Sequence, residues 1–193
     1  MSAAAGPALR LRPGVEADLA AIAALYAREV REGVATYEYD VPDDAEMRRR
    51  WRAIVEAGYP YLIAEFVEAG VGTFAGYAYA TSYRTRIGYR WTVENSVYVE
   101  PACHGRGVGR ALMRQLIQDC TALGFRQMVA VIGDGSNAAS VNLHERLGFQ
   151  LAGVFPGIGR KHGRWLDTVQ MVLALGDGKV GEPDENVPGL PLR

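Results

Sequence analysis

The sequence has few cysteines, few histidines and almost no net charge, and each of these features excludes some classes of protein. The 193 residues include two cysteines, Cys103 and Cys120, and three histidines. Two cysteines are too few for a disulfide framework and have no metal-ligand spacing, so we expect no bound metal and a reducing, cytoplasmic location. The net charge of −1 leaves no surplus of cations for a phosphate polymer, and nucleic acid is therefore not an expected partner.

Long apolar runs are also absent. Residues 1–12 have no basic start followed by an apolar stretch, and no uninterrupted apolar run approaches the roughly 18 residues of a membrane span. We therefore expect neither secretion nor insertion into a membrane. The 49% of apolar residues is enough for one full core, which predicts a single domain over 1–175. Four Gly and three Pro fall among the last 18 residues, and 176–193 is predicted to be a flexible tail.

The spacing of apolar residues predicts alternating strands and helices. Residues 17–31 and 109–123 show helical spacing and are each followed by a glycine, whereas 61–67, 72–82 and 91–99 are rich in β-branched and aromatic residues. These three runs are predicted to be consecutive antiparallel strands. The remaining predicted elements are strands at 9–13, 129–132, 149–155 and 165–175, and helices at 42–57, with Trp51, Ile54 and Val55 on its buried face, and at 138–147.

The most specific local pattern is a glycine-rich turn between the strand 91–99 and the helix that follows it. Glycines allow main-chain N–H groups to converge, and the N-terminus of the helix adds partial positive charge, so the turn can hold a diphosphate. A dinucleotide fingerprint fails at the position of its last glycine, and the Lys-Ser/Thr of a Walker loop is missing. A plain turn without a ligand is the alternative. The turn comprises His104, Gly105, Arg106, Gly107, Val108, Gly109 and Arg110.

A second segment, 137–149, opens with a polar cap and ends in Gly-Phe. Together with the glycine turn it resembles the GNAT superfamily of acetyl-CoA-dependent N-acetyltransferases, with His104 in place of the usual glutamine or arginine and His144 in place of a tyrosine. The resemblance is greatest to the phosphinothricin and methionine sulfoximine acetyltransferases and spans about 9–173. The segments that carry this further resemblance are 91–99, 130–133, 143–145 and 161–167.

This resemblance implies a mixed α/β fold in which a central, mostly antiparallel sheet is flanked by helices and splayed where acetyl-CoA enters. It also implies acetyl-CoA as the cofactor and a homodimer. The implied acceptor is a small amino-acid-like molecule, namely phosphinothricin, methionine sulfoximine or methionine sulfone. The alternatives are acetylation of another small amine or of a protein N-terminus, and a non-catalytic sensor of acyl-CoA.

The resemblance also implies the catalytic groups. An ammonium group must lose a proton before it can attack, and Glu94 is expected to be the general base for direct attack; the alternative is an exposed carboxylate at a strand edge. His144 is expected either to protonate the departing thiolate or only to hydrogen-bond the cofactor. Neither cysteine has the spaced partners of a thiol nucleophile. Cofactor contacts are expected from the glycine turn, from the backbone of Val97, Tyr98 and Val99, and from Ser140 and Asn137, the latter with a helix cap as its alternative role.

The acceptor is expected to be bound through its carboxylate. A guanidinium binds a carboxylate through two parallel hydrogen bonds, and Arg86 is the first candidate and Arg84 the second, with ordinary surface charges as the alternative. Tyr89 lies beside them. The resemblance implies that Thr36 and Tyr37 close over the acceptor from the loop between the first two helices. It further implies that Lys161 and His162 shape the far wall, either in the same chain or across a dimer.

Overall fold

The structure, a computed structural model, describes residues 6–135 and 137–189. One seven-stranded sheet organises this part of the chain, with its strands in the order β1-β2-β3-β4-β5-β7-β6. The strands are β1 (Ala8–Pro13), β2 (Tyr61–Glu68), β3 (Val71–Ser82), β4 (Thr92–Val99), β5 (Gln127–Gly133), β6 (Gln150–Lys161) and β7 (Arg164–Ala174). The α-helices are α1 (Leu19–Glu32), α2 (Asp44–Glu56), α3 (Val108–Ala122) and α4 (Ala138–Glu145). The order of elements is the predicted one, and the prediction of a mixed α/β fold is confirmed.

The sheet is antiparallel except at its centre. β4 and β5 are parallel and are paired only from Thr92–Gln127 to Asn95–Ala130. Beyond that point β4 remains paired with β3, and β5 remains paired with β7, so the two strands separate. The facing edges of their last residues therefore carry backbone N–H and C=O groups that no described strand uses. The predicted splay of the sheet is confirmed at this place.

Helices pack on both faces and bury separate apolar clusters. On one face α3 buries Leu112, Met113 and Leu116 completely, as its helical spacing predicts. On the other face α1 packs with α2 against a cluster of stacked tyrosines that includes Tyr61, Tyr77 and Tyr98. The prediction was wrong for Val55, which is 39% exposed, because α2 turns Met47 inward instead. No helix among the described residues has both the length and the apolar character to cross a bilayer.

The last two strands form one long hairpin rather than two short strands around a glycine-rich connection. β6 continues through Gly157 and Gly159 to Lys161, and the turn consists of His162 and Gly163 at positive φ. The register of the pairing between β6 and β7 shifts between Phe155 and Gly159, and this irregularity accommodates the glycines. A bulge accommodates extra residues without ending a strand, which is why glycine content alone misplaced this boundary.

The segment after β7, residues 176–189, lies against the domain, and we call it the C-terminal strap. Val187 is 4% exposed and belongs to the main core cluster. Trp91 Nε1 donates a hydrogen bond to Asp184 O at 2.6 Å, and Arg126 Nε donates one to Gly178 O at 2.7 Å. These contacts contradict the expectation of a flexible tail for 176–189, because that expectation weighed glycine and proline content and not the apolar side chain among them. The rest of the predicted tail, 190–193, lies outside the described residues.

Candidate active site

A cavity of about 420 Å³ opens where β4 and β5 separate. Successive side chains of β4 point to opposite faces of the sheet, so the two faces of this strand have different contacts. Tyr98 lies on the face covered by α1 and α2, while Val93 lies on the face covered by α3. The cavity is lined by residues of β4, β5, α4, the α1–α2 loop and the β6–β7 hairpin: Ala35, Thr36, Tyr37, Glu94, Asn95, Ser96, Val97, Tyr98, Ala130, Val131, Ile132, Gly133, Asn137, Ser140, His144, Ile158, Thr168 and Gln170.

Glu94 is half-buried in the wall of this cavity, on the same face of β4 as Tyr98. Burial raises the pKa of its carboxyl group above the usual value, because water stabilises the charged form less there, and the positive charge of Arg84 opposes that shift. Within the described residues no hydrogen bond to its carboxylate oxygens contributes to this shift. A half-buried carboxylate with a raised pKa has the properties that a general base requires.

His144 is 2% exposed and ties α4 to β4 at the point where the strands part. Its Nδ1 lies 2.8 Å from Ser140 O, and its Nε2 lies 3.0 Å from Asn95 Oδ1. Asn95 Nδ2 donates to Val129 O at 3.0 Å, which fixes the amide so that its oxygen faces the imidazole. Two acceptors suit a ring with a proton on each nitrogen, whereas burial lowers the pKa of His144 and favours the neutral ring. Both nitrogens lie against protein oxygens, of which the neutral ring can donate to one, and protonation of a thiolate by His144 would require one of these contacts to break.

The glycine turn leads directly into α3. Gly105 and Gly107 both have positive φ, and Gly107 caps α3 without a side-chain hydrogen bond. The first N–H groups of an α-helix have no partner within the helix, so those of α3 are available to an anion at this exposed turn. Val108 is an exception among the predicted contacts, because its side chain is 1% exposed in the core and only its backbone can take part.

Other predicted cofactor contacts divide between backbone and side chain. Tyr98 stacks on Tyr77 at 5.0 Å between ring centroids, so it too faces the cavity with its backbone. Asn137 caps α4 by accepting from Ser140 N at 3.2 Å, which is the alternative that the sequence left open. That contact uses the oxygen of the amide and leaves its nitrogen available. Val99 and the glycine turn lie outside the lining of the main cavity.

Tyr37 packs its ring against glycines of β5 and β6, the two strands on either side of β7. Its ring lies between Gly133 of β5 and Gly159 of β6: a Cβ at Gly133 would approach it to 2.9 Å, and a Cβ at Gly159 would overlap it. Asp134 N donates to Tyr37 Oη at 3.2 Å, and Thr168 Oγ1 lies 3.2 Å from the same oxygen. Two glycines therefore make the room in which the α1–α2 loop closes over the cavity.

Lys161 and His162 hold the same loop from within the same chain. Lys161 is 2% exposed, and its Nζ donates to Glu29 O at 3.2 Å and to Thr36 O at 2.7 Å. His162 Nε2 lies 3.0 Å from Gly33 O. The resemblance implied that these two residues form a wall of the acceptor site. In the structure neither lines the cavity, and both contact the backbone that carries Thr36.

The predicted carboxylate clamp forms a second cavity. Arg84, Arg86 and Tyr89 line it together with Tyr83 and Thr85, and its volume is about 400 Å³. Both arginines are exposed, and Arg84 stacks its guanidinium 5.0 Å from the centroid of the Tyr83 ring. The charge of Arg84 also acts on Glu94, so this arginine is electrostatically coupled to the candidate base.

The sequence missed Asn95, Thr168 and Gln170 as site residues. Asn95 is 6% exposed and Thr168 is 3% exposed, and all three line the main cavity. Asn95 gives no distinct signal in the sequence, because its neighbours Glu94 and Ser96 are also polar. Thr168 and Gln170 likewise stand close to another polar residue, Asp167, and only the fold shows which side chains face the cavity. The two cysteines are buried, and burial raises the pKa of Cys120 to about 12, which leaves it unreactive.

The parted strands, the glycine turn at a helix N-terminus and the half-buried carboxylate together define a class, the acyl-CoA-dependent acyltransferases. Comparison with known proteins agrees with that class. The model of the acetyltransferase (GNAT) domain matches residues 11–170. The chain therefore belongs to the GNAT acetyltransferase family. It is an acetyltransferase that uses acetyl-CoA, and the unpaired edges of β4 and β5 and the N-terminus of α3 fit that cofactor.

Named relatives cover most of the chain. A phosphinothricin N-acetyltransferase of Alcaligenes faecalis is 48% identical over 167 residues, which are 86% of this chain and 83% of the relative. An L-methionine sulfoximine/L-methionine sulfone acetyltransferase of Salmonella typhimurium is 42% identical over 168 residues, 86% of this chain and 95% of that protein. The crystal structure of a phosphinothricin acetyltransferase from Sinorhizobium meliloti in complex with acetyl-CoA is 47% identical, has a TM-score of 0.87, and covers 93% of this chain and 95% of its own.

Proposed function

We propose that this enzyme acetylates the amine of a small amino-acid-like acceptor, namely phosphinothricin, methionine sulfoximine or methionine sulfone, by direct attack with Glu94 as the general base. The observation that carries the proposal is Glu94 itself, half-buried in the cavity where β4 and β5 part, with a raised pKa and with Arg84 nearby. The names of the relatives support the acceptor class.

When bound, acetyl-CoA would supply a thioester carbonyl, to whose carbon the amine forms a C–N bond as the C–S bond breaks and coenzyme A leaves as its thiol. Glu94 takes the proton that the ammonium group of the acceptor must lose, because an amine attacks only in its neutral form. The backbone of β4 beyond Asn95, which no described strand pairs on the β5 side, provides N–H groups for a carbonyl oxygen. His144 holds Asn95, the neighbour of Glu94, and so keeps β4 in place at the opening.

Residues outside β4 hold the acceptor. Arg84 and Arg86 offer guanidinium groups to its carboxylate, and each charge-assisted hydrogen bond of this kind is worth about 1.5–3 kcal/mol. Thr36 and Tyr37 close the loop over the cavity, and Lys161 fixes that loop. A short acceptor with one carboxylate and one amine fits these groups better than a peptide, whose carboxylate is far from its N-terminus.

The test is Glu94→Gln, assayed by release of free thiol from acetyl-CoA with methionine sulfone as acceptor. Loss of the base is expected to lower kcat by about 10²–10⁴-fold. The dissociation constant of acetyl-CoA, measured by calorimetry, is expected to stay unchanged, because the carboxylate serves the acceptor. The matched control is Glu68→Gln, which neutralises an exposed carboxylate at the end of β2. Equal turnover in Glu94→Gln and wild type would remove Glu94 as the base.

A panel of acceptors separates the proposed acceptor class from its alternatives. Thiol release with methionine sulfone or phosphinothricin supports the proposal, and release only with simple amines or peptides supports the other transferase. Binding of acetyl-CoA without release from any acceptor would support the sensor. Retention of a buried carboxylate in the cavity favours catalysis over sensing.

We further propose a homodimer in the cytoplasm. Several large apolar side chains of the β6–β7 hairpin are exposed, including Leu151, Phe155 and Trp165. Exposed apolar side chains gathered on one element are typical of an interface, and a second copy of this chain is the proposed occupant. Sedimentation of the wild type and of Trp165→Glu tests the dimer. A wild type that sediments with the mass of one chain at micromolar concentration would contradict it.

Two buried free thiols agree with the proposed reducing compartment, the cytoplasm.

A further inference from the structure

Arg90 occupies a junction between three parts of the chain. It follows the loop 83–89 that carries Arg84 and Arg86, it precedes β4, and it contacts the C-terminal strap. Only 5% of this arginine is exposed. Burying a guanidinium costs free energy unless it is fully hydrogen-bonded, so a buried arginine outside the cavity requires an explanation.

The strap supplies the contacts of this guanidinium. Arg90 Nη2 donates to Glu185 O at 2.7 Å and to Val187 O at 3.4 Å. The guanidinium carbon lies 5.6 Å from the centroid of the Trp91 ring, and the indole of Trp91 donates to Asp184 O. Arg90 Nε and Nη1 are buried without a partner among the described residues. Two neighbouring side chains thus bind three strap carbonyls within four residues, at 184, 185 and 187.

The backbone of Arg90 closes the arginine loop. Arg90 N donates to Ile87 O at 3.0 Å, and Tyr89 N donates to Arg86 O at 3.0 Å, which together form a 3₁₀ turn over Ile87–Tyr89. At the other end of the loop Tyr83 N donates to Thr92 O. The rings of Tyr83 and Tyr89 meet edge to face at 5.8 Å. The loop is therefore a closed unit, and its base is the residue that the strap holds.

We propose that Arg90 is a positioning residue for acceptor binding, and that the strap, through Arg90, fixes the loop that presents Arg84 and Arg86 to the carboxylate of the acceptor. The inference rests on the proposed function insofar as this loop binds that carboxylate. The match to the family model ends at residue 170, before the strap begins. Fixing the loop before the acceptor arrives lowers the conformational entropy lost on binding.

The chain offers a matched pair of substitutions. Arg90→Met removes the guanidinium that holds the strap to the loop. Arg126→Met removes a guanidinium that also donates two hydrogen bonds to the strap, but to Gly178 O and Val180 O and not to the residues that Arg90 binds. The backbone N–H of Arg126, which donates to Trp91 O, is kept in this variant. Both variants lose contacts to the same segment. Only the first is expected to disturb the loop, so the comparison separates positioning from general stabilisation of the strap.

Steady-state kinetics with acetyl-CoA and methionine sulfone give the first readout. Arg90→Met is expected to raise the KM of methionine sulfone by about 10–100-fold, the equivalent of one or two charge-assisted hydrogen bonds. The KM of acetyl-CoA is expected to change by no more than about twofold, since the glycine turn is elsewhere. Arg90→Lys is expected to recover part of the loss, because an ammonium can reach one strap carbonyl. Arg126→Met is expected to leave both KM values within about twofold of wild type.

Amide hydrogen exchange gives a readout that needs no activity. Exchange over 83–90 is expected to be faster in Arg90→Met and unchanged in Arg126→Met. If Arg90→Met does not fold, Trp91→Phe replaces it, since it removes the indole N–H that binds Asp184 O and keeps an aromatic ring beside Arg90, and it is expected to move both readouts in the same direction by a smaller amount. Equal changes in both KM values, or a loop that exchanges alike in Arg90→Met and Arg126→Met, would overturn the proposal. A wild type that acetylates none of methionine sulfone, methionine sulfoximine and phosphinothricin would refute the proposed function and leave the exchange comparison as the test of the strap.

Discussion

Single residues set the charge of the candidate base. Burial raises the pKa of Glu94, and the nearest opposing influence is the charge of Arg84. Arg86 lines the same cavity as Arg84 but does not contribute to that shift. Two arginines that are two residues apart therefore have different electrostatic relations to one carboxylate, although both are available to an acceptor.

This difference predicts a shift in the pH profile. Glu94 acts only when deprotonated, so the acid limb of kcat/KM follows its pKa in the free enzyme. Arg84→Met removes a charge that lowers this pKa, and the acid limb is expected to move to higher pH. Arg86→Met is the control and is expected to leave the limb in place while raising the KM of the acceptor. Profiles from pH 5 to 9 at subsaturating methionine sulfone measure both, and a limb that moved equally in the two variants would contradict the assignment.

Between elements, the α1–α2 loop is held to the β6–β7 hairpin by contacts that are distant in sequence. Tyr37 lies against Gly159, and Lys161 binds the backbone oxygen of Thr36. Hairpin glycines thus make room for an aromatic ring, and a buried ammonium replaces the hydrogen bonds that the loop backbone would otherwise make with water. The shape of the acceptor side depends on both elements together.

The packing of Tyr37 predicts a selective effect of a single methyl group. Gly159→Ala places a Cβ in the Tyr37 ring and is expected to displace the loop, raising the KM of methionine sulfone by about tenfold or more and leaving the KM of acetyl-CoA nearly unchanged. Gly153→Ala in the same strand has no atom within 4 Å of the new Cβ and serves as the control. If the two variants have the same acceptor KM, the ring does not hold the loop.

On the scale of the whole molecule, the C-terminal strap completes the core. The strap contacts the chain at Gly58, Trp91 and Gly124, and the side chain of Val187 packs in the apolar cluster that includes the buried face of α3. The strap lies at the end of the sheet where β4 and β5 begin, opposite to their separation. One end of the sheet is thus covered by the strap, and the cavity opens at the other end, where β4 and β5 separate.

A buried strap predicts a position-dependent cost in stability. Val187→Ala removes two buried methyl groups and is expected to lower the free energy of unfolding by about 1–3 kcal/mol. Val180→Ala, at a residue that is 70% exposed in the same segment, is expected to change it by less than about 0.5 kcal/mol. Urea denaturation measures both. Equal midpoints for the two variants would show that the segment after β7 does not pack.

The sequence by itself determined the order of strands and helices, the splayed α/β sheet, the glycine turn before α3 and the position of Glu94. These features depend on local periodicity, on backbone freedom at glycine and on a resemblance carried by short motifs. Only the tertiary structure decided that both nitrogens of His144 are occupied, that Lys161 holds Thr36 in the same chain, and that Val187 is buried. Each of these depends on a partner more than 100 residues away or on a neighbouring element, and periodicity records only which face of an element is buried, not what covers it.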